Sequence, residues 1–146
     1  MSMMTYQTVV VPVDFSEDSE RAISIGLQSV EDPAKLHIVH VMFPLDYAAP
    51  GVLYGTTIEK DRRENAEESL RNLAQQSGAA QATRAVLVGD PGLKVADYAE
   101  QVDAELVIIP SHGYHGVKRL LLGSTAERII RHAQCSVLVL RRQDAD

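Results

Sequence analysis

One cysteine, Cys135, is all that the 146 residues contain, so no disulfide can close within the chain. Long apolar runs are missing as well. The strongest, Ala-Glu-Leu-Val-Ile-Ile-Pro at residues 104–110, is strand-sized and far short of the roughly 18 residues that a membrane span needs. Residues 1–8 lack the basic start and apolar core of a signal peptide, which leaves a cytoplasmic location as the expectation. Basic residues are outnumbered, 14 against 20 acidic ones, for a formal charge of −6. That balance argues against a non-specific grip on nucleic acid or on an anionic membrane surface.

Signatures of catalysis are equally scarce. There is no G-x-x-x-x-G-K-[ST] phosphate loop, no G-x-G-x-x-G after a strand and no G-x-S-x-G nucleophile elbow. A phosphate-accepting receiver needs an acidic cluster after its first strand and an aspartate closing its third, but Phe15 follows Asp14 and Val88-Gly89 closes the third strand here. His112 and His115 stand three apart without further ligands nearby to complete a metal set. His37 and His40 lie at odd and even positions of one strand, on opposite faces, and read as structural histidines. No residue is nominated as a catalytic base, so a binding protein is expected rather than an enzyme, with slow phosphate hydrolysis or phosphotransfer through Asp14, His112 and Ser124 as the remaining catalytic alternative.

What is present is a regular alternation. The chain is 45% apolar and of single-domain length. Residues 8–13, Thr-Val-Val-Val-Pro-Val, form a β-branched run without polar alternation, which predicts a strand buried on both faces of a parallel sheet. Ala22, Ile23, Gly26, Leu27 and Val30 recur at helical spacing and predict a helix from residue 17 to about 30, stopped near Asp32-Pro33. The same logic places strands at 36–42, 82–88, 104–110 and 136–140. Helices fall at about 57–77, 91–101 and 124–132; Gly78 closes the second, and Asp90-Pro91 supplies an N-cap and first helical proline for the third. Cys135 opens the last strand and is expected to be a small buried apolar residue. The order βαβαβαβαβ demands right-handed crossovers and a single domain spanning residues 1–146: an α/β open parallel sheet with helices on both faces. Such sheets bind ligands beyond their carboxyl ends.

Two segments lie there. The loop after the fourth strand, residues 110–125, is punctuated by Gly113, Gly116 and Gly123 and runs into a helix. Ser124 with Glu127 three residues later has the spacing of a capping box, while the free amides and positive dipole end of that helix suit a phosphate. Turn glycines and a plain cap explain the same pattern equally well. Lys118 and Arg119 are secondary candidates for balancing phosphate charge. Asp14, closing the first strand, can accept from ribose hydroxyls or an adenine amine, or else cap the first helix. The loop at residues 43–56, with Tyr47 and Tyr54, is long for an α/β connection and suits a lid or a mobile surface loop.

Taken together, Val9-Val10-Val11-Pro12-Val13-Asp14-Phe15-Ser16, Leu36-His37-Ile38-Val39-His40-Val41, Ser111-His112-Gly113, Gly123-Ser124-Thr125-Ala126-Glu127-Arg128 and Ser136-Val137-Leu138-Val139-Leu140 resemble a universal stress protein of the UspA-like kind, across essentially the whole chain. The resemblance implies an adenine nucleotide alpha hydrolase-like sheet of order 3-2-1-4-5 and a homodimer formed through strand 5. It also implies membership of either an ATP-binding branch, with the pattern G-x2-G-x9-G-[ST], or a branch that binds no nucleotide. Gly113, nine intervening residues and Gly123-Ser124 match the second half of that pattern; Pro110 stands where its first glycine belongs and removes a backbone N–H. By the same resemblance the pocket for ATP or AMP comprises Pro12, Val13, Asp14, Val41, Ile109, Pro110, Ser111, His112, Gly113, Gly123, Ser124 and Thr125, and Mg²⁺ enters only with nucleotide. The alternative is a nucleotide-independent dimeric interaction protein of the same family.

Overall fold

A computed structural model describes residues 5–44, 56–111 and 122–141 of the chain. Five parallel strands, β1 (Val9–Pro12), β2 (Leu36–Met42), β3 (Thr83–Val88), β4 (Leu106–Pro110) and β5 (Ser136–Leu140), form one sheet in the order β3-β2-β1-β4-β5. Four helices connect them: α1 (Asp18–Ser29), α2 (Thr56–Gln76), α3 (Pro91–Gln101) and α4 (Ser124–His132).

The predicted double-sided burial is present. Val9, Val10 and Val11 are fully buried, and strand alternation sends Val9 and Val11 to one layer and Val10 to the other. On the first face they meet Ala22 and Ile23 of α1 and Leu70 and Ala74 of α2. On the second, Val10, Val39, Val107 and Ile109 meet Val95 and Ala99 of α3 and Ala126 and Ile129 of α4. Each such large side chain stabilises the fold by about 1.5–3 kcal/mol relative to exposure. Helix α2 is otherwise polar and holds its place through a narrow stripe: Ala66, Leu70, Leu73 and Ala74 recur at helical spacing.

The helix ends explain the boundaries. Gly78 (φ 74°) terminates α2 in the left-handed conformation, with the Ala79 amide donating to the Ala74 carbonyl at 2.7 Å. Asp103 (φ 54°) does the same for α3, and the Ala104 amide donates to the Ala99 carbonyl at 2.9 Å. Residue 104 therefore finishes the helix cap rather than starting the strand, and β4 begins at Leu106. Asp32 and Pro33 open a single 3-10 turn, Pro33–Lys35, capped by the Asp32 side chain. One expectation needs correction. The fifth strand is an outer strand whose residues alternate between exposed and partly buried, ending on buried Leu140, and Cys135 just before it is only partly buried. Burial pushes the Cys135 thiol up from its ordinary pKa, against a smaller opposing pull from a backbone hydrogen bond.

Candidate functional site

Strand pairing opens a crevice at the expected place. β1 runs beside β2 for four residue pairs, from Val9↔Leu36 to Pro12↔Val39. Against β4 it pairs only at Val9↔Leu106 and Val10↔Val107, whereas β4 continues along β5 as far as Pro110↔Leu140. Beyond Val10 the sheet therefore splits between β1 and β4, where the chain order reverses, and open α/β sheets receive ligands at this point.

The β1 wall is built by local hydrogen bonds. The Val13 amide donates to the Val39 carbonyl at 2.8 Å, and His40 Nδ1 donates to the Val13 carbonyl at 2.8 Å. A carbonyl only accepts, so this contact fixes the proton on Nδ1 of His40. Asp14 is half-buried, and its Oδ1 accepts from the Ser16 amide at 3.0 Å, an Asx turn. Its second oxygen has no hydrogen-bond partner among the described residues. The turn places Phe15 at φ 64°, unusual for a bulky residue, and the Phe15 ring packs against His40 with centroids 4.5 Å apart and the planes tilted by 46°. Asp14 is thus not the cap of α1; the N-cap is Glu17, three residues later, which makes no side-chain hydrogen bond there.

The β4 wall centres on Ser111. Its amide donates to the Leu140 carbonyl and its carbonyl accepts from the Gly123 amide, both at 2.8 Å. The side chain is buried, and its Oγ has no hydrogen-bond partner among the described residues. Amides alternate in direction along a strand, so with Ser111 pointing toward β5, position 110 faces the crevice side, where β1 pairing has ended. Pro110 consequently costs the sheet no ladder bond, and it deprives the crevice of one donor.

At the far side of the loop, α4 begins differently from the expected capping box. Gly123, with ψ 159°, is the N-cap, Ser124 is the first helical residue, and no side chain among the described residues caps the helix. Glu127, expected to reach back to the helix start, instead accepts from Arg131 Nη2 at 2.6 Å, one turn ahead. The Ser124 and Thr125 amides are therefore free of side-chain caps, as an anion site requires. Burial supplies the remaining lining: Val13 and Ile109 are buried, while Pro12, Val41 and Pro110 are partly so.

Of the predicted pocket residues, the structure brings Pro12, Val13, Asp14, Val41, Ile109, Pro110, Ser111, Gly123, Ser124 and Thr125 to the carboxyl edge of the sheet. His112 and Gly113 lie outside the described residues, as do His115, Lys118, Arg119, Tyr47 and Tyr54. Among the described residues no cluster of three or more His, Cys, Asp or Glu side chains can hold a metal ion, and no helix is long and apolar enough to cross a membrane. His37 sits apart from the crevice, its Nδ1 2.7 Å from the Tyr98 hydroxyl of α3. Burial, aided by the Lys35 charge, lowers its pKa, and burial raises that of Tyr98. Sequence reasoning treated His40 only as a structural histidine and missed the pairing of Arg128 with Asp90. The Arg128 guanidinium donates to Asp90 Oδ1, joining α4 to the start of α3. The Asp90 cap was legible; its second partner, 38 residues away, had no local signal.

A family model described as the universal stress protein family matches residues 5–141. A putative universal stress protein of Staphylococcus aureus (strain USA300) is 31% identical over 148 residues, covering 97% of this chain and 88% of the relative. In fold the chain is similar to universal stress protein UspA from Lactobacillus plantarum, with a TM-score of 0.76 and 24% identity over 95% of this chain and 100% of the other. A universal stress protein solved in complex with cAMP matches with a TM-score of 0.60 and 28% identity, over 94% of this chain and 98% of that one.

Proposed function

We propose, from the premise that this chain belongs to the universal stress protein family, that it binds an adenine nucleotide, ATP or AMP, in the crevice between β1 and β4 and serves as a stress-response regulator in the cytoplasm. The observation that carries the reading is the presence, at one edge of the sheet, of two groups without a side-chain hydrogen-bond partner among the described residues: the second carboxylate oxygen of Asp14 and the first turn of α4. A carboxylate accepts from ribose hydroxyls or the adenine amine; helix-start amides donate to phosphate, each favourable contact of charge with the dipole contributing about 0.3–1 kcal/mol. Val13 and Val41 supply apolar surface for the base, and the Pro12, Ile109, Pro110 and Ser111 backbone lines the walls. The 28%-identical relative crystallised with cAMP, itself an adenine nucleotide, supports the ligand class. His112 and Gly113 complete the proposed pocket by the family resemblance, and Mg²⁺ has a place there only together with the nucleotide. The role assigned is binding rather than turnover.

A second reading is favoured by β5. As an outer strand it has one edge unpaired among the described residues, and Leu138 on it and Ile130 on α4 are exposed, a surface suited to pairing with a second copy of the chain. Dimerisation and nucleotide binding are compatible, and a dimer that acts without nucleotide remains the alternative function. Mass spectrometry of the small molecules released on denaturing the purified protein separates them: an adenine nucleotide supports the first reading, and protein that carries none and gains none on incubation with ATP supports the second.

A further inference from the structure

The contact between α3 and α4 has a feature beyond packing. Asp90 divides its carboxylate between two helices: Oδ2 accepts from the Leu93 amide at 3.0 Å and caps α3, while Oδ1 accepts from Arg128 of α4. Two residues on, Gly92 is buried, and a Cβ placed on it would collide with the Cβ of Arg128. The first turn of α3 thus meets α4 with only a hydrogen between them, at the residue that makes the ion pair. Arg128 follows Ser124 by four residues, one helical turn, so whatever fixes Arg128 fixes the aim of the Ser124 and Thr125 amides. A separate tie holds the helix start from the other side, through the Gly123 amide and the Ser111 carbonyl.

We infer that the Asp90–Arg128 pair is a positioning device for the phosphate-binding turn of α4, setting affinity for the phosphate-bearing part of the ligand rather than for its base. The inference rests on the adenine-nucleotide reading above. Both side chains are partly solvent-exposed, and such pairs stabilise a fold little, so the pair acts through aim rather than stability. Small displacements of donors that must meet an anion reduce binding steeply, and adenosine, which carries no phosphate, is insensitive to them.

The variants separate these roles. Asp90→Ser keeps a side chain that caps α3 but is too short to hold Arg128, and Arg128→Ala removes the other partner. Calorimetric titration is expected to show ATP binding weakened roughly tenfold by each, no further in the double variant, with adenosine changed less than about twofold and Arg128→Lys recovering part of the loss. In the free protein the Ser124 and Thr125 amide NMR shifts are expected to move in both single variants while the urea midpoint stays near wild type. Equal losses for ATP and adenosine, or unchanged ATP affinity with unmoved amide shifts, overturn the inference while leaving nucleotide binding intact. If the wild type binds neither compound, the functional reading fails, and unmoved amide shifts then overturn the positioning claim independently.

Discussion

His40 and Val13 are joined by a 2.8 Å hydrogen bond from Nδ1 to the carbonyl, and the same imidazole packs against the tilted ring of Phe15. One side chain of β2 thereby holds both the last buried residue of the β1 wall and the left-handed residue that follows Asp14. Replacing His40 with alanine removes the only side-chain donor to that carbonyl among the described residues. Loss of a partly buried hydrogen bond and a ring contact is expected to cost about 1–2 kcal/mol, read from the urea midpoint, and to weaken nucleotide binding through Asp14. A variant with wild-type stability and wild-type affinity rejects this role for His40.

His37 provides a pH test remote from the crevice. Its folded-state pKa lies below the ordinary 6.5, chiefly through burial, so the folded protein takes up this proton less readily than the unfolded chain. The contribution is complete above pH 6.5 and is lost as pH falls through that value toward the lowered folded pKa. Because the ring is only about half-buried, the effect is modest. Urea midpoints at pH 7.5 and 5.5 are expected to fall further in wild type than in His37→Gln; parallel changes in the two proteins contradict it.

Ser124→Ala distinguishes the observed helix start from the capping box. A serine that caps a helix costs about 1 kcal/mol when replaced, whereas at the first helical position, with Gly123 as N-cap, the change is expected to stay within about 0.5 kcal/mol. Thermal unfolding decides between the two values.

Pro110→Gly restores an amide on the crevice side of β4 without removing any bond that β4 makes to β5. Nucleotide affinity is expected to rise severalfold, while the added freedom of glycine in the unfolded chain lowers folding stability by about 0.4–1 kcal/mol. Unchanged affinity in a titration places the ligand elsewhere.

The sheet and most element bounds were legible because two periodicities carry them. The predicted bounds of the second strand, the third and fourth helices and the fifth strand coincide with β2, α3, α4 and β5. The Asp90-Pro91 start of α3 was readable because cap and proline act locally. Where the reading failed, a distant or competing partner decided. S-x-x-E looks the same whether its serine sits at the N-cap or one residue inside, and Arg131 drew Glu127 away. Buried character in β5 was misjudged because a strand-sized apolar run does not reveal whether it lies at the centre or edge of a sheet. In the candidate site, Asp14 and the Gly123–Thr125 turn were visible from their place in the alternation. The supports behind them, His40 on Val13 and Asp90 on Arg128, join residues 27 and 38 positions apart, beyond any local pattern.

Calorimetric titration of the purified, nucleotide-stripped protein with ATP, and in parallel with AMP, tests the central claim most directly. The account predicts saturable heat with one nucleotide per chain, diminished by Asp14→Ala. No heat and no thermal shift at millimolar concentrations of either nucleotide contradicts it.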